Sequence, residues 1–281
     1  MALHRRPFLV FSSVGKQSCH PLWMQEVGNF EMALVDYEPA GSCLPDPRIR
    51  LWQRCGTKWP NLDFVIEQWP EITQYEAVAV FDDDLRLSGA DISRAFELFQ
   101  QHQLWLGQPS LRLDSHFSWT FTLQRPYLSL RYSGFVENGL TILRGCDLHR
   151  LRRAFGLARS GYGLDWALPQ LLQAPRGKIA VLDEVACYHP PRVSSLDGRW
   201  DRQEQARQGE ELCRTLGVES LEPEEYGFVL NASGQAWAAQ ASPEVVYAAA
   251  HRYVLHQMRH EIEKFRPIPG KAQAKSKRPP C

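Results

Sequence analysis

The stretch AVAVFDDD at residues 77–84 constrains this chain more than any other segment. Four small or β-branched apolar residues and a phenylalanine have the pattern of a strand buried on both faces, as inside a parallel sheet. Asp82, Asp83 and Asp84 follow without a spacer and repel one another. The fold must therefore bring compensation to the end of this strand, as a metal, as backbone N–H groups or as water.

Two earlier runs, PFLVFSSV (7–14) and FEMALVDYE (30–38), share the buried-strand pattern, and RIRLWQR adds a third short strand within the loop-like stretch 39–61. The apolar spacing of LDFVIEQW (62–69) predicts a helix ended by Pro70. Asp91 is expected to cap a helix running to about Gln103, with Ile92, Ala95, Phe96 and Phe99 on one face. HFSWTFTLQ and YLSLRYSGFVENGLTILRG alternate by twos and read as strands. Asp147 is placed to cap the helix DLHRLRRAFGLA, LDWALPQLLQ reads as a short helix, and KIAVLDEVACYH as a further strand. Strands that alternate with helices and then come in pairs define an α/β fold with a mixed sheet flanked by helices.

After Pro191 the character changes. RWDRQEQARQGEELCRTL reads as a charged helix, EYGFVLNASGQAWAA as a hairpin turning at NASG, and SPEVVYAAAHRYVLHQMRHEIEKF (242–265) as a long helix opening on Ser-Pro-Glu. The expected organisation is a domain over 7–192, a mainly helical C-terminal extension over 193–265, and a disordered basic tail over 266–281.

Composition removes several classes of function. Thirty-two basic residues balance 32 acidic ones, so no global field favours nucleic acid or an anionic membrane. Seven scattered cysteines without a CxxC fit neither a zinc knuckle nor a disulfide framework, and imply a reduced, cytoplasmic setting. The opening MALHRRPFLVF imitates a signal peptide, but its apolar run is too short and no A-x-A follows, so it reads as the first strand. No run approaches the roughly 18 apolar residues of an integral membrane segment.

Residues two apart on an extended chain point the same way, so Asp82 and Asp84 can converge beyond the carboxyl end of their strand, where open α/β sheets place ligands. Two hard oxygen donors there suit Mg²⁺ or Mn²⁺; a solvated acidic loop is the alternative. Phosphatases of the haloacid-dehalogenase type also use a strand-ending D-x-D. However, they carry Thr or Val four residues after the first Asp, where this chain has Arg86, and they use the first strand. Glycosyl transfer from a nucleotide-diphosphate sugar uses a D-x-D in a mid-domain strand, a later carboxylate and often a strand-ending histidine. Asp165, in SGYGLDWALP, supplies the carboxylate for an acceptor hydroxyl or is an ordinary helix cap. His189, after VLDEVACY, supplies the third metal ligand or is a polar exit residue.

The blocks TKWPNL, FDDDL, SHFSW, GFVENGLTILRG, GYGLDWAL and VLDEVACYH resemble a domain family of plants and bacteria labelled lysine-ketoglutarate reductase trans-splicing related, itself similar to GT-A glycosyltransferases. The resemblance covers roughly residues 8 to 192. The family's Asp-Glu-Asp-Leu-Gly box departs here at Asp83 and Arg86 and keeps Asp82 and Asp84. It implies a GT-A-like fold and a metal-dependent glycosyltransferase with Mn²⁺ or Mg²⁺ on Asp82, Asp84 and His189. Asp165 would act as general base or acceptor anchor, a base implying inversion, and the acceptor would be a glycan, a lipid or a small molecule. It further implies that Ser12, Ser13, Gly15, Lys16, Asp36 and Asp83 meet the donor nucleotide, together with Lys58 and Asn61 from the following helix. His116 and Glu137 either face this site or are buried structural groups. A non-catalytic nucleotide-sugar or glycan-binding module of the same fold is the second expectation.

Overall fold

The computed structural model describes residues 6–38, 41–43, 46–190 and 202–264. In chain order the elements are β1 (Phe8–Val14), α1 (His20–Trp23), β2 (Phe30–Asp36), β3 (Ile49–Gln53), α2 (Lys58–Gln68) and β4 (Ala77–Phe81). Next come α3 (Gly89–Gln101), β5 (Leu106–Leu111), β6 (Leu128–Ser133), β7 (Leu140–Arg144), α4 (Leu148–Leu157), α5 (Leu164–Leu172) and β8 (Ile179–Cys187). The described chain ends with α6 (Arg202–Leu216), β9 (Glu225–Leu230), α7 (Ala232–Ala238) and α8 (Pro243–Lys264).

The strands form one mixed sheet of nine in the order β3-β2-β1-β4-β7-β5-β8-β6-β9. The strands β3, β2, β1 and β4 run parallel, and β5 and β8 are parallel to each other, while β7 and β6 run against their neighbours. This is the α/β fold with a mixed sheet flanked by helices that the sequence leads one to expect. Alternation along β1 sends Phe8 and Val10 into a core shared with Ile92, Phe96 and Phe99 of α3, and Leu9 and Phe11 into a second core with α2, α4 and α5. Burial on both faces is why these strands read as unbroken apolar runs rather than as alternating ones.

Four local readings are corrected. Helix α3 is capped by Ser88, not Asp91: the Ser88 hydroxyl accepts the Asp91 N–H, and the Asp91 carboxylate accepts the Ser88 N–H. This reciprocal capping box puts the acid three residues inside the helix. HFSWTFTLQ forms no strand; Trp119 and Phe121 pack edge-on against Phe135, and Thr120–Thr122 closes a 3-10 turn. The sheet position belongs instead to Leu106–Leu111, whose Gly107 and Pro109 disguise it and whose register shifts between Pro109 and Ser110. NASG is no hairpin turn, because the Asn231 side chain accepts the Gly234 N–H and starts α7.

Residues 202–264 contribute to the sheet and to both cores. Strand β9 pairs antiparallel with β6, Leu212 of α6 joins one core and Val254 of α8 the other. The expected tail at 266–281 lies outside the described residues.

Candidate functional site

Strand direction determines what meets at the end of β4. Because β7 runs opposite to β4, the residues that enter it, Glu137 to Gly139, lie beside the residues that leave β4, and Asp82 donates its backbone N–H to Gly139 O at 2.9 Å. A Cβ on Gly139 would lie 2.8 Å from Asp82 Oδ2, so a larger residue there would push the Asp82 carboxylate aside. The chain leaving β8 reaches the same rim: Arg86 N donates to Tyr188 O at 2.9 Å, a bridge that sets Asp84 beside His189. His116, in the loop after β5, donates its backbone N–H to His189 O at 2.8 Å, and the two imidazoles sit 5.6 Å apart.

Each aspartate of the triplet has its own compensation. Lys58 Nζ lies 2.7 Å from Asp82 Oδ1 and also donates to Asn138 O at 2.8 Å. Asp83 Oδ2 accepts from Tyr37 Oη at 3.1 Å, and its carboxylate also takes the Gly15 N–H. Burial, followed by the charges of Asp84 and Asp82, nevertheless pushes Asp83 up to about 7. Asp84 Oδ1 is buried without a hydrogen-bond partner and lies 3.5 Å from His189 Nε2. Burial works against the Asp84 charge, but the neighbouring His189 holds its carboxyl below the usual range. Burial would likewise discharge His189, yet Asp84, Asp82 and Glu137 together raise it. Ligand atoms of Asp82, Asp84 and His189 lie within 4.8 Å of one another. Two carboxylate oxygens and an imidazole, one oxygen buried and unpartnered, fit the preference of Mn²⁺ or Mg²⁺.

The cluster opens into a cavity of about 440 Å³, whose lining includes Asp82, Asp83, Lys58, Glu137, Asp165 and His189. Asp165 sits at the second position of α5, after Gly163 at a φ of 90° takes the cap position. Its Oδ1 accepts from Asn138 Nδ2 at 2.7 Å. Burial, then the charge of Glu137, pushes its carboxyl up to about 7.

The remaining predicted residues divide by strand face. Ser13 lines the cavity and accepts from Asn61 Nδ2 at 3.0 Å, so Asn61, itself buried outside the lining, positions Ser13. Ser12 points to the other face, donates to Phe81 O at 2.9 Å and lies outside the cavity lining. Asp36 also lies outside the cavity lining. Its carboxylate accepts the N–H groups of Glu38, Ser42 and Cys43 and the Ser42 hydroxyl, and it organises its own loop. Burial opposes that charge, but these bonds hold Asp36 below the usual range. Lys16 is exposed on the turn after β1 and outside the cavity lining, and Gly15 is packed against the Tyr37 ring. Sequence reasoning missed Tyr37 and Asn138. Tyr37 ends an apolar run, and Asn138 precedes Gly139, a pair that reads simply as a turn.

No family model matches the chain, and no curated protein does; the trans-splicing-related label therefore gains no support. Among solved structures the chain is similar to S. aureus TarS. For TarS 1–349 in complex with UDP-GlcNAc the TM-score is 0.45 at 14% identity, covering 74% of this chain and 65% of that one. A longer TarS structure gives 0.43 at 14%, covering 74% and 38%. TarS 1–349 in complex with UDP gives 0.38 at 13%, covering 73% and 70%. The chain thus spans 65% of TarS 1–349 in complex with UDP-GlcNAc and 38% of the longer TarS chain, and no residue role is carried over from this likeness. Among the described residues no helix is long and apolar enough to cross a membrane.

Proposed function

We propose that the chain is a metal-dependent glycosyltransferase that moves a sugar from a nucleotide-diphosphate sugar to a hydroxyl acceptor. One observation carries the reading: Asp82, Asp84 and His189 converge on one rim, and the cavity beside them also carries a carboxyl with its pKa near neutrality. When bound, Mn²⁺ or Mg²⁺ would neutralise the donor diphosphate and the charge that develops as it leaves. Asp82, Asp84 and His189 would hold the ion. Lys58, already beside Asp82, adds a positive charge at the rim. Asp83 and Tyr37 form a hydrogen-bonded pair in the same lining, placed to meet the nucleotide. Asp165 takes the acceptor proton, and Asn138 holds its carboxyl in place. A base near pKa 7 is matched to this task at neutral pH, and attack by the deprotonated hydroxyl inverts the anomeric carbon.

The test is release of nucleoside diphosphate from a panel of nucleotide-sugars with Mn²⁺, with EDTA, and with Asp84→Asn. Metal-dependent release that this substitution abolishes supports the reading, and release indifferent to both refutes it. Metal-assisted donor binding without turnover would instead identify a non-catalytic binding module.

A further inference from the structure

Glu137 is 9% exposed and lines the cavity, and its Oε2 has no hydrogen-bond partner. Its other oxygen takes the Ser118 N–H, at 3.3 Å, and the Ser118 side chain also bonds the carboxylate. The backbone beneath it is pinned, since Glu137 N donates to Gln108 Oε1 at 2.5 Å and its carbonyl accepts from Leu140 N and Thr141 Oγ1. A buried, unpaired carboxyl oxygen on a fixed backbone costs free energy unless something occupies it. Glu137 shares the cavity lining with Asp82 and His189 of the proposed metal cluster and with Asp165, the proposed base. Trp59, 2% exposed, lines the same cavity and leaves its Nε1–H unpartnered. One orphan acceptor and one orphan donor call for groups that both donate and accept, which describes hydroxyls. The half-buried indole of Trp119 offers the apolar surface that a sugar ring covers.

We propose that the cavity floor at Glu137 is a saccharide subsite: Glu137 Oε2 receives one ring hydroxyl, Trp59 Nε1 donates to another, and, where the sugar is the acceptor's, Asp165 holds its reacting hydroxyl. This deepens the glycosyltransferase reading and rests on it for the direction of the chemistry, although binding can be measured without any transfer. The sugar could be the donor's or the acceptor's, and a titration separates the two.

The full chain is titrated by calorimetry and saturation-transfer NMR with methyl pyranosides and with a monodeoxy series of the best binder. Ethanolamine serves as a cation of comparable reach. Nucleoside diphosphates are compared with their sugar conjugates in the presence of Mn²⁺. Binding of a free methyl pyranoside, weakened about tenfold by loss of one hydroxyl and by Glu137→Gln, supports an acceptor sugar at Glu137. A sugar conjugate that binds tighter than its bare diphosphate, with the advantage erased by Glu137→Gln, supports the donor's sugar. Should the variant not fold, the deoxy series on the wild-type chain gives the same decision. Sugars that add nothing in either arm, a deoxy series without effect, or ethanolamine outcompeting the pyranosides would overturn the subsite. Absence of transfer alongside sugar binding would overturn the transferase reading and leave the subsite standing.

Discussion

Asp165 has a proposed role that depends on its protonation state, so it carries two predictions. If it is the base, transfer rises with pH through about 7, the value to which burial pushes its carboxyl. Asp165→Asn should lower kcat at least about a hundredfold and abolish that rising limb, read from a pH–rate profile. The same shift penalises folding. The folded carboxyl keeps its proton to a higher pH than the unfolded one, so Asp165 costs stability progressively as pH rises from about 4 to about 7. Asp165→Asn should therefore be more stable than wild type at about pH 8, by on the order of 2 kcal/mol in urea titrations, with the gap narrowing toward pH 4. Asp84→Asn, which alters the cluster and leaves the cavity walls unchanged, should weaken Mn²⁺ binding at least about tenfold by calorimetry.

At the scale of single elements, the capping box at Ser88 supplies a measurable contribution. Ser88→Ala removes the acceptor for the Asp91 N–H and should destabilise the protein by about 1 kcal/mol, seen as a lower urea midpoint. The long periodic elements were legible before the fold was known, because burial on two faces imposes an apolar run and burial on one face imposes a helical stripe. Thus Phe30–Asp36 and Leu148–Leu157 stand where the pattern puts them. Leu106–Leu111 was illegible, since Pro109 lacks an N–H and Gly107 lacks a side chain, and only neighbouring strands supply what they omit. HFSWTFTLQ failed in the opposite sense, as its alternation serves a stack on Phe135 rather than a ladder.

Across the whole molecule, the C-terminal segment is tied to the sheet by a buried ionic network. Arg131 on β6, with 0% exposure, lies 2.7 Å from Asp183 on β8 and 3.0 Å from Glu225 on β9. Arg125 also pairs with Glu225, and the Tyr247 hydroxyl of α8 bonds to the same carboxylate. Removing one member strands the others in a low-dielectric setting, so Arg131→Leu should cost about 3–5 kcal/mol by denaturant unfolding. That loss would far exceed the effect of removing the exposed Arg207–Glu204 pair, which water and salt screen.

Read by itself, the chain determined its strands of double burial, its amphipathic helices, and the one position where three carboxylates had to be answered. It also led one to expect Asp82 and Asp84 on a common side, although the strand ends at Phe81 and residues 83 and 84 form a turn that brings Asp84 to His189. What answers each carboxylate was decided only in three dimensions. Lys58, Tyr37 and His189 come from three separate elements, and they meet because β4 and β8 end on one rim while β7 begins there. The same geometry separated Ser12 from Ser13, adjacent residues of one strand that face opposite sides of the sheet. Local pattern follows from what each residue must bury, whereas a site is set by strand direction and order, which no local pattern encodes.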